Sequence, residues 1–99
     1  MWILRTVTEG LPEKTFRILP GNEKTIGRAT GADFIVDAAL VSRVHCRLTA
    51  LAGGELEIRD LESTNGTYVN GERVETARRL TPGDRLQVGR VELVALRDE

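Results

Sequence analysis

Four short clusters hold nearly all of the polar residues of this chain that folding alone explains poorly: Gly27-Arg28, Ser42-Arg43-Val44-His45, the run from Asp60 to Thr67, and Asn70-Gly71. Arginine, serine, threonine and asparagine are the residue types of an anion or peptide site. A guanidinium presents a planar fork of donors, hydroxyls donate single hydrogen bonds, and a carboxamide both donates and accepts. Taken singly, each cluster is ordinary. An arginine after a glycine is usually a solvated charge, a serine at a strand start is usually a turn residue, and Asn-Gly is usually a hairpin turn.

The sole histidine, His45, stands beside the sole cysteine, Cys46, which raises the possibility of a thiol nucleophile. A cysteine-phosphatase loop would need an arginine six residues beyond the cysteine, and position 52 is Ala52. It would also lead from a strand into a helix whose dipole lowers the thiol pKa, whereas Cys46 falls inside a strand pattern. Cys46 therefore reads as a small core residue, as free cysteines commonly are. One histidine and one cysteine do not make a zinc site without carboxylate help, and no phosphate loop ending in lysine is present. No catalytic residue, metal or cofactor is expected.

The elements that must position these clusters are strands. Residues 2–8, 15–19, 34–36, 44–51, 56–59, 85–88 and 91–96 are short, rich in β-formers or alternating, and bounded by turn residues such as Pro20-Gly21-Asn22, Gly53-Gly54 and Pro82-Gly83-Asp84. No stretch keeps apolar residues at helical spacing for three turns. Many strands at short spacing predict an all-β sandwich or barrel with mostly hairpin connections. Alternation places Val44, Cys46 and Leu48 on one face and His45, Arg47 and Thr49 on the other.

At 99 residues the chain is read as a single domain over 1–99, with no internal repeat or linker. Fourteen basic against fifteen acidic residues leave a formal charge of −1, so no global field would hold a nucleic-acid backbone or an anionic membrane. Any anion site must be local. The few aromatics, Trp2, Phe16, Phe34 and Tyr68, are mostly expected in the core rather than as a base-stacking platform. A single cysteine fits a reducing compartment, and the apolar run after Met1 breaks at Arg5, too early for a signal core or a membrane span, so a cytoplasmic location is expected.

In order and spacing, the four clusters resemble the signature of the forkhead-associated (FHA) domain: Gly-Arg, then Ser-Arg-x-His, then Asp-x-x-Ser-Thr-Asn-Gly-Thr, then Asn-Gly. The chain matches at each of those positions. Thr25-Ile26-Gly27-Arg28, Asp33 to Asp37, and Leu80 with Gly83-Asp84-Arg85-Leu86 and Gly89 extend the likeness over about residues 2–96. The resemblance implies an 11-stranded β-sandwich of two sheets with ligand loops at one end. It also implies a phosphothreonine-dependent peptide-binding module, a non-catalytic signalling adaptor whose partner is a threonine-phosphorylated protein in trans. The same fold used for phosphate-independent protein contacts is the alternative.

Carried over by the resemblance, the phosphate contacts fall on Arg28, Ser42, Arg43 and Thr64, and the peptide-backbone contact on Asn65. His45 becomes a structural residue that ties the site loops together. Gly27, Gly66, Thr67, Asn70 and Gly71 shape the loops, with Gly27 keeping backbone clear beside the site. These types suit a phosphothreonine, which carries about −1.5 to −2 charge and three acceptor oxygens. Leu40, two residues before Ser42, would offer a bound peptide apolar contact only.

Overall fold

The structure, a computed structural model, describes residues 1–98. Eleven strands follow one another: β1 Trp2–Thr6, β2 Thr15–Ile18, β3 Glu23–Gly27, β4 Phe34–Ile35, β5 Cys46–Ala50, β6 Leu56–Asp60, β7 Thr67–Val69, β8 Glu72–Arg73, β9 Ala77–Leu80, β10 Arg85–Val88 and β11 Val91–Arg97. They form a six-stranded sheet, β2-β1-β11-β10-β7-β8, and a five-stranded sheet, β4-β3-β5-β6-β9. The paired strands are antiparallel except β3 and β4, which run parallel. Among the described residues there is no helix, so none is long and apolar enough to cross a membrane.

Alternation builds the core. Leu4 on β1, Ile26 on β3, Cys46 and Leu48 on β5, Leu56 and Ile58 on β6, Leu86 and Val88 on β10, and Leu93 and Ala95 on β11 are fully buried between the sheets. Each large aliphatic side chain removed from water contributes about 1.5–3 kcal/mol. Five ion pairs seen among the described residues are solvent-exposed and worth about 0–1 kcal/mol each, so apolar burial between the sheets dominates stability. Trp2 and Phe34 are buried, and Phe16 stacks on Phe34 with ring centroids 4.6 Å apart.

All seven segments read as strands contain one. The four strands the pattern did not reveal are β3, β7, β8 and β9. β3 has buried residues only at Ile26 and Gly27, β7 is three residues between two Gly turns, both residues of β8 are exposed, and β9 lies at a sheet edge with two arginines in four residues. None offers a long enough alternation to detect.

The expected faces need correcting at the start of β5. Val44 does not share the Cys46 face: it is 42% exposed, while His45 is completely buried. The strand begins at Cys46 rather than Val44, and residues 43–45 belong to the preceding loop. His45 turns inward because its ring has backbone partners there.

The strand directions collect loops at one end of the sandwich. β3 ends there at Gly27, β6 ends there at Asp60, and β7 starts there at Thr67. The loops 28–33, 36–45 and 61–66 therefore meet, and these carry most of the signature residues.

Candidate functional site

The 28–33 loop is anchored at both margins. Asp33 accepts hydrogen bonds from the Thr25 N–H (2.9 Å) and hydroxyl (3.2 Å), and its own N–H donates back to Thr25 Oγ1 at 3.1 Å. These bonds hold the Asp33 carboxyl below its ordinary range, the backbone bond from Thr25 being the largest cause.

The end of β3 is zipped to the loop before β5. The Arg28 N–H donates to the Ser42 carbonyl at 2.9 Å, the Ala29 N–H to the Arg43 carbonyl at 3.1 Å, and the His45 N–H to the Ile26 carbonyl at 2.8 Å. Gly27 sits where these backbones touch. A Cβ at that position would stand 2.8 Å from the Arg43 carbonyl carbon and 2.9 Å from the Val44 Cα, with the Arg43 oxygen nearer still. Only glycine fits such an approach.

His45 fastens the second and third loops together. Its Nδ1 accepts the Ser42 N–H at 3.0 Å, so the proton of the neutral ring is on Nε2, which donates to the Gly66 carbonyl at 2.8 Å. The His45 carbonyl in turn accepts the Leu61 N–H at 3.0 Å. The 61–66 loop stands on Asp60, which accepts from the Ser63 hydroxyl (2.6 Å) and N–H (3.2 Å) and from the buried Thr67 hydroxyl (2.7 Å). Ser63 Oγ accepts the Gly66 N–H at 2.9 Å, and Gly66 adopts φ +86°. Asp60 stands in the signature without a role assigned from the sequence, and Ser63 likewise. The signal available was their spacing, an Asp three residues before a Ser, which is a side-chain-to-backbone turn.

The donors now face one open surface. Arg28 Nε donates to the Val41 carbonyl at 3.0 Å, which orients the guanidinium and leaves both terminal amino groups without a partner among the described residues. The Ser42 hydroxyl oxygen accepts the Thr64 N–H at 3.0 Å, bringing Ser42 and Thr64 side by side with their hydroxyl hydrogens uncommitted. Arg43 and Arg28 are exposed, and neither has a carboxylate partner among the described residues. Asn65 Nδ2 donates to the Leu40 carbonyl at 3.0 Å, leaving its Oδ1 and second amide hydrogen available. Leu40 is exposed and held at φ +71°, close against Gly89.

Two of the loop-shaping residues lie apart from this cluster. Asn70 and Gly71, at φ +50° and +83°, make the β7–β8 turn at the far end of β7, about 10 Å away at the usual strand rise. Asn70 instead pins that turn to the next strand, donating to Asp84 Oδ1 at 3.0 Å and accepting the Arg85 N–H at 2.9 Å.

Cys46 has no access to this surface. It is fully buried, and burial first, then the nearby Asp60 charge, pushes its thiol up to about 12. A thiol so protonated is a core group rather than a nucleophile. Two cavities of about 210 and 330 Å³ are lined by other residues, among them Leu11 and Val36 in the first and Arg85 and Gln87 in the second. Arg28, Arg43, Thr64 and Asn65 are exposed, so the donor cluster is an open face that suits an extended chain.

Fold and site together define a β-sandwich module whose loops carry a face of uncommitted hydrogen-bond donors. The FHA domain profile matches residues 24–89, and the chain belongs to the FHA domain family. It is similar to the glycogen accumulation regulator GarA of Mycolicibacterium smegmatis, 44% identical over 70 residues, which cover 71% of this chain and 43% of that protein. Among solved structures, it is similar to a domain from a study of phosphothreonine-dependent FHA domain interactions, at 28% identity and TM-score 0.83, with 99% of this chain and 97% of that one covered. It is equally similar to Mycobacterium tuberculosis EmbR in complex with a low-affinity phosphopeptide, at 28% identity and TM-score 0.83, over 96% of this chain and 24% of that one. The chain spans less than half the length of the curated relatives it matches, from 9% to 49%.

Proposed function

We propose that this chain is a phosphothreonine-dependent peptide-binding domain, a single module over residues 1–99 that acts as a non-catalytic signalling adaptor. The observation that carries the reading is the Arg28 guanidinium. It is oriented through Nε by the Val41 carbonyl, has no carboxylate partner among the described residues, and stands on the loops that bring the Ser42 and Thr64 hydroxyls together.

In this reading Arg28 forms the two-pronged contact to the phosphate, Ser42 and Thr64 donate hydroxyl hydrogen bonds, and Arg43 adds its main-chain N–H and its charge. Asn65 pairs with the main chain of the bound peptide. Gly27, His45, Gly66 and Thr67 hold these donors in register, and Asn70 and Gly71 set the neighbouring hairpin. Preorganisation of this kind lowers the ordering cost of binding. Similarity to phosphothreonine-dependent domains and to a phosphopeptide complex supports the ligand class, and a threonine-phosphorylated protein acting in trans is the partner. A reducing cytoplasm suits a chain whose one cysteine is free and buried.

The test is titration of one threonine peptide in phosphorylated and unphosphorylated forms. Binding confined to the phosphorylated form is the expected result. Equal binding of both forms would favour the alternative, in which the same fold makes phosphate-independent protein contacts.

A further inference from the structure

Two Asn-Gly steps occur in the chain, Asn65-Gly66 and Asn70-Gly71, and both asparagines are exposed. Asparagine is chemically labile, and most so before glycine, whose missing Cβ lets its amide nitrogen reach the preceding carboxamide. The glycine nitrogen loses its proton and attacks the asparagine Cγ. The Cγ–Nδ2 bond then breaks, ammonia leaves, and water opens the cyclic imide to aspartate or isoaspartate. Water is the only co-reactant.

The two steps are restrained differently. Both polar atoms of the Asn70 carboxamide are held, Nδ2 by Asp84 at 3.0 Å and Oδ1 by the Arg85 N–H at 2.9 Å, in a tight turn between paired strands. The Asn65 carboxamide is held among the described residues only through Nδ2, which donates to the Leu40 carbonyl at 3.0 Å. Its restraint lies instead on the attacking atom. The Gly66 N–H donates to Ser63 Oγ at 2.9 Å, and the Ser63 hydroxyl donates to Asp60 at 2.6 Å. Burial raises the Asp60 carboxyl, but its hydrogen bonds hold it below the ordinary range, so it is a weak base and the chain of bonds keeps the Gly66 proton in place. Arg73 acts in the opposite sense. A Cβ built on Gly66 would stand 3.3 Å from Arg73 Nε and 3.2 Å from Tyr68 Cε1, so a guanidinium lies where negative charge develops as the Gly66 nitrogen gives up its proton.

We propose that Asn65 is a site of spontaneous deamidation that switches off the phosphopeptide face, at a rate set by the bond from the Gly66 N–H to Ser63. The switching-off rests on the phosphothreonine reading given above, whereas the conversion itself does not. Deamidation places a carboxylate between Thr64 and Gly66, beside the donors that are to hold a phosphate, and the two anions repel. The isoaspartate product also adds a methylene to the main chain, which moves the Gly66 carbonyl out of register with His45 Nε2, now 2.8 Å away. A bound peptide engages the Asn65 carboxamide and keeps it from Gly66, so an occupied domain outlasts an idle one.

The experiment incubates the folded chain in mildly alkaline buffer and follows conversion at Asn65 and at Asn70 separately by peptide mass spectrometry. Asn65 should convert faster than Asn70, and the difference should vanish in denaturant. Ser63→Ala should speed conversion at Asn65 by about two- to ten-fold, the worth of one hydrogen bond, and leave Asn70 unchanged. Arg73→Gln, at an exposed position that does not threaten the fold, should slow Asn65 by about two-fold. Folded Asn70 converting faster than Asn65, or a folded Ser63→Ala variant converting Asn65 at the wild-type rate, would overturn the site. If Ser63→Ala does not fold, the wild-type ratio and Arg73→Gln decide it, and an Arg73→Gln rate equal to wild type then counts against the proposal. Phosphopeptide binding capacity should fall in step with conversion at Asn65, and fresh Asn65→Asp should bind about ten-fold or more weakly. Unchanged affinity after full conversion would overturn the switch. Fresh wild-type chain that binds no phosphothreonine peptide would overturn the phosphothreonine reading and the switch with it, while the mass readout still judges the conversion.

Discussion

The buried His45 ring joins two loops: its Nε2 donates to the Gly66 carbonyl at 2.8 Å while its Nδ1 accepts the Ser42 N–H at 3.0 Å. Together with the Thr64 N–H to Ser42 Oγ bond, this side chain fixes the separation of Ser42 from the Thr64–Gly66 segment, which in the proposed function sets the spacing of the phosphate donors.

His45→Ala is therefore expected to destabilise the fold as clearly as it weakens binding. It leaves the Ser42 N–H and the Gly66 carbonyl without their partner and opens a cavity where a fully buried ring stood, a loss of about 2–4 kcal/mol. Thermal melting should fall by about 10 °C or more for a domain of this size. A variant that melts like wild type yet loses all phosphopeptide binding would place His45 in direct contact with the ligand instead.

Arg28→Ala should do the reverse. The side chain is exposed and its only internal bond is Nε to the Val41 carbonyl, so the fold should persist while phosphopeptide affinity drops by about 2–5 kcal/mol, the usual cost of truncating one partner of a charge-assisted pair. Calorimetry on the folded variant is the measurement, and an unchanged affinity would contradict the assignment. Ser42→Ala should cost less, about 1–3 kcal/mol, because a neutral donor is removed.

Asp60 makes stability sensitive to acid. Burial raises its carboxyl, but the hydrogen bonds from Ser63 and Thr67 outweigh burial and hold it below its ordinary value. A carboxyl lowered by folding contributes stability that is complete above its unfolded pKa of about 3.9 and is lost as pH falls through its folded pKa. Melting temperature should therefore hold steady above about pH 5 and decline below about pH 4. Asp60→Asn, which cannot accept from all three donors, should lower stability at neutral pH by about 1–3 kcal/mol and flatten the acid decline.

Phosphothreonine should bind more tightly than phosphoserine, and glutamate should not substitute for either. If, as the family resemblance implies, the threonine methyl packs beside the site loops, its burial is worth about 0.8 kcal/mol, roughly four-fold, and a methyl-sized void in the serine complex extends the difference to about ten-fold. A carboxylate has about half the charge and two acceptor oxygens, so the donors of Arg28, Ser42 and Thr64 are not all satisfied. Competition on one peptide sequence carrying phosphothreonine, phosphoserine, threonine or glutamate decides it. Equal affinity for the two phosphoresidues would remove the methyl pocket from the account.

The residue types of the site, their order along the chain and the β-class of the fold are written in the sequence, because turn chemistry and two-residue alternation are local. The grouping of Arg28, Ser42, Thr64 and Asn65 could be read only through the family resemblance that their order and spacing carry, while the core position of Cys46 followed from alternation. Strands β3, β7, β8 and β9 could not be read, since each is short or polar and is made a strand by the neighbour that pairs with it. The tertiary structure alone decided that Val44 faces solvent and His45 the interior, because the inward pull comes from the carbonyl of Gly66, twenty-one residues away. It likewise decided that Asn70 and Gly71 stand at the far end of β7, that Leu40 is held by Asn65, and that Arg73 lies over Gly66. Each of these depends on which backbone atoms meet across two sheets, and a contact between distant segments leaves no period in the chain to read.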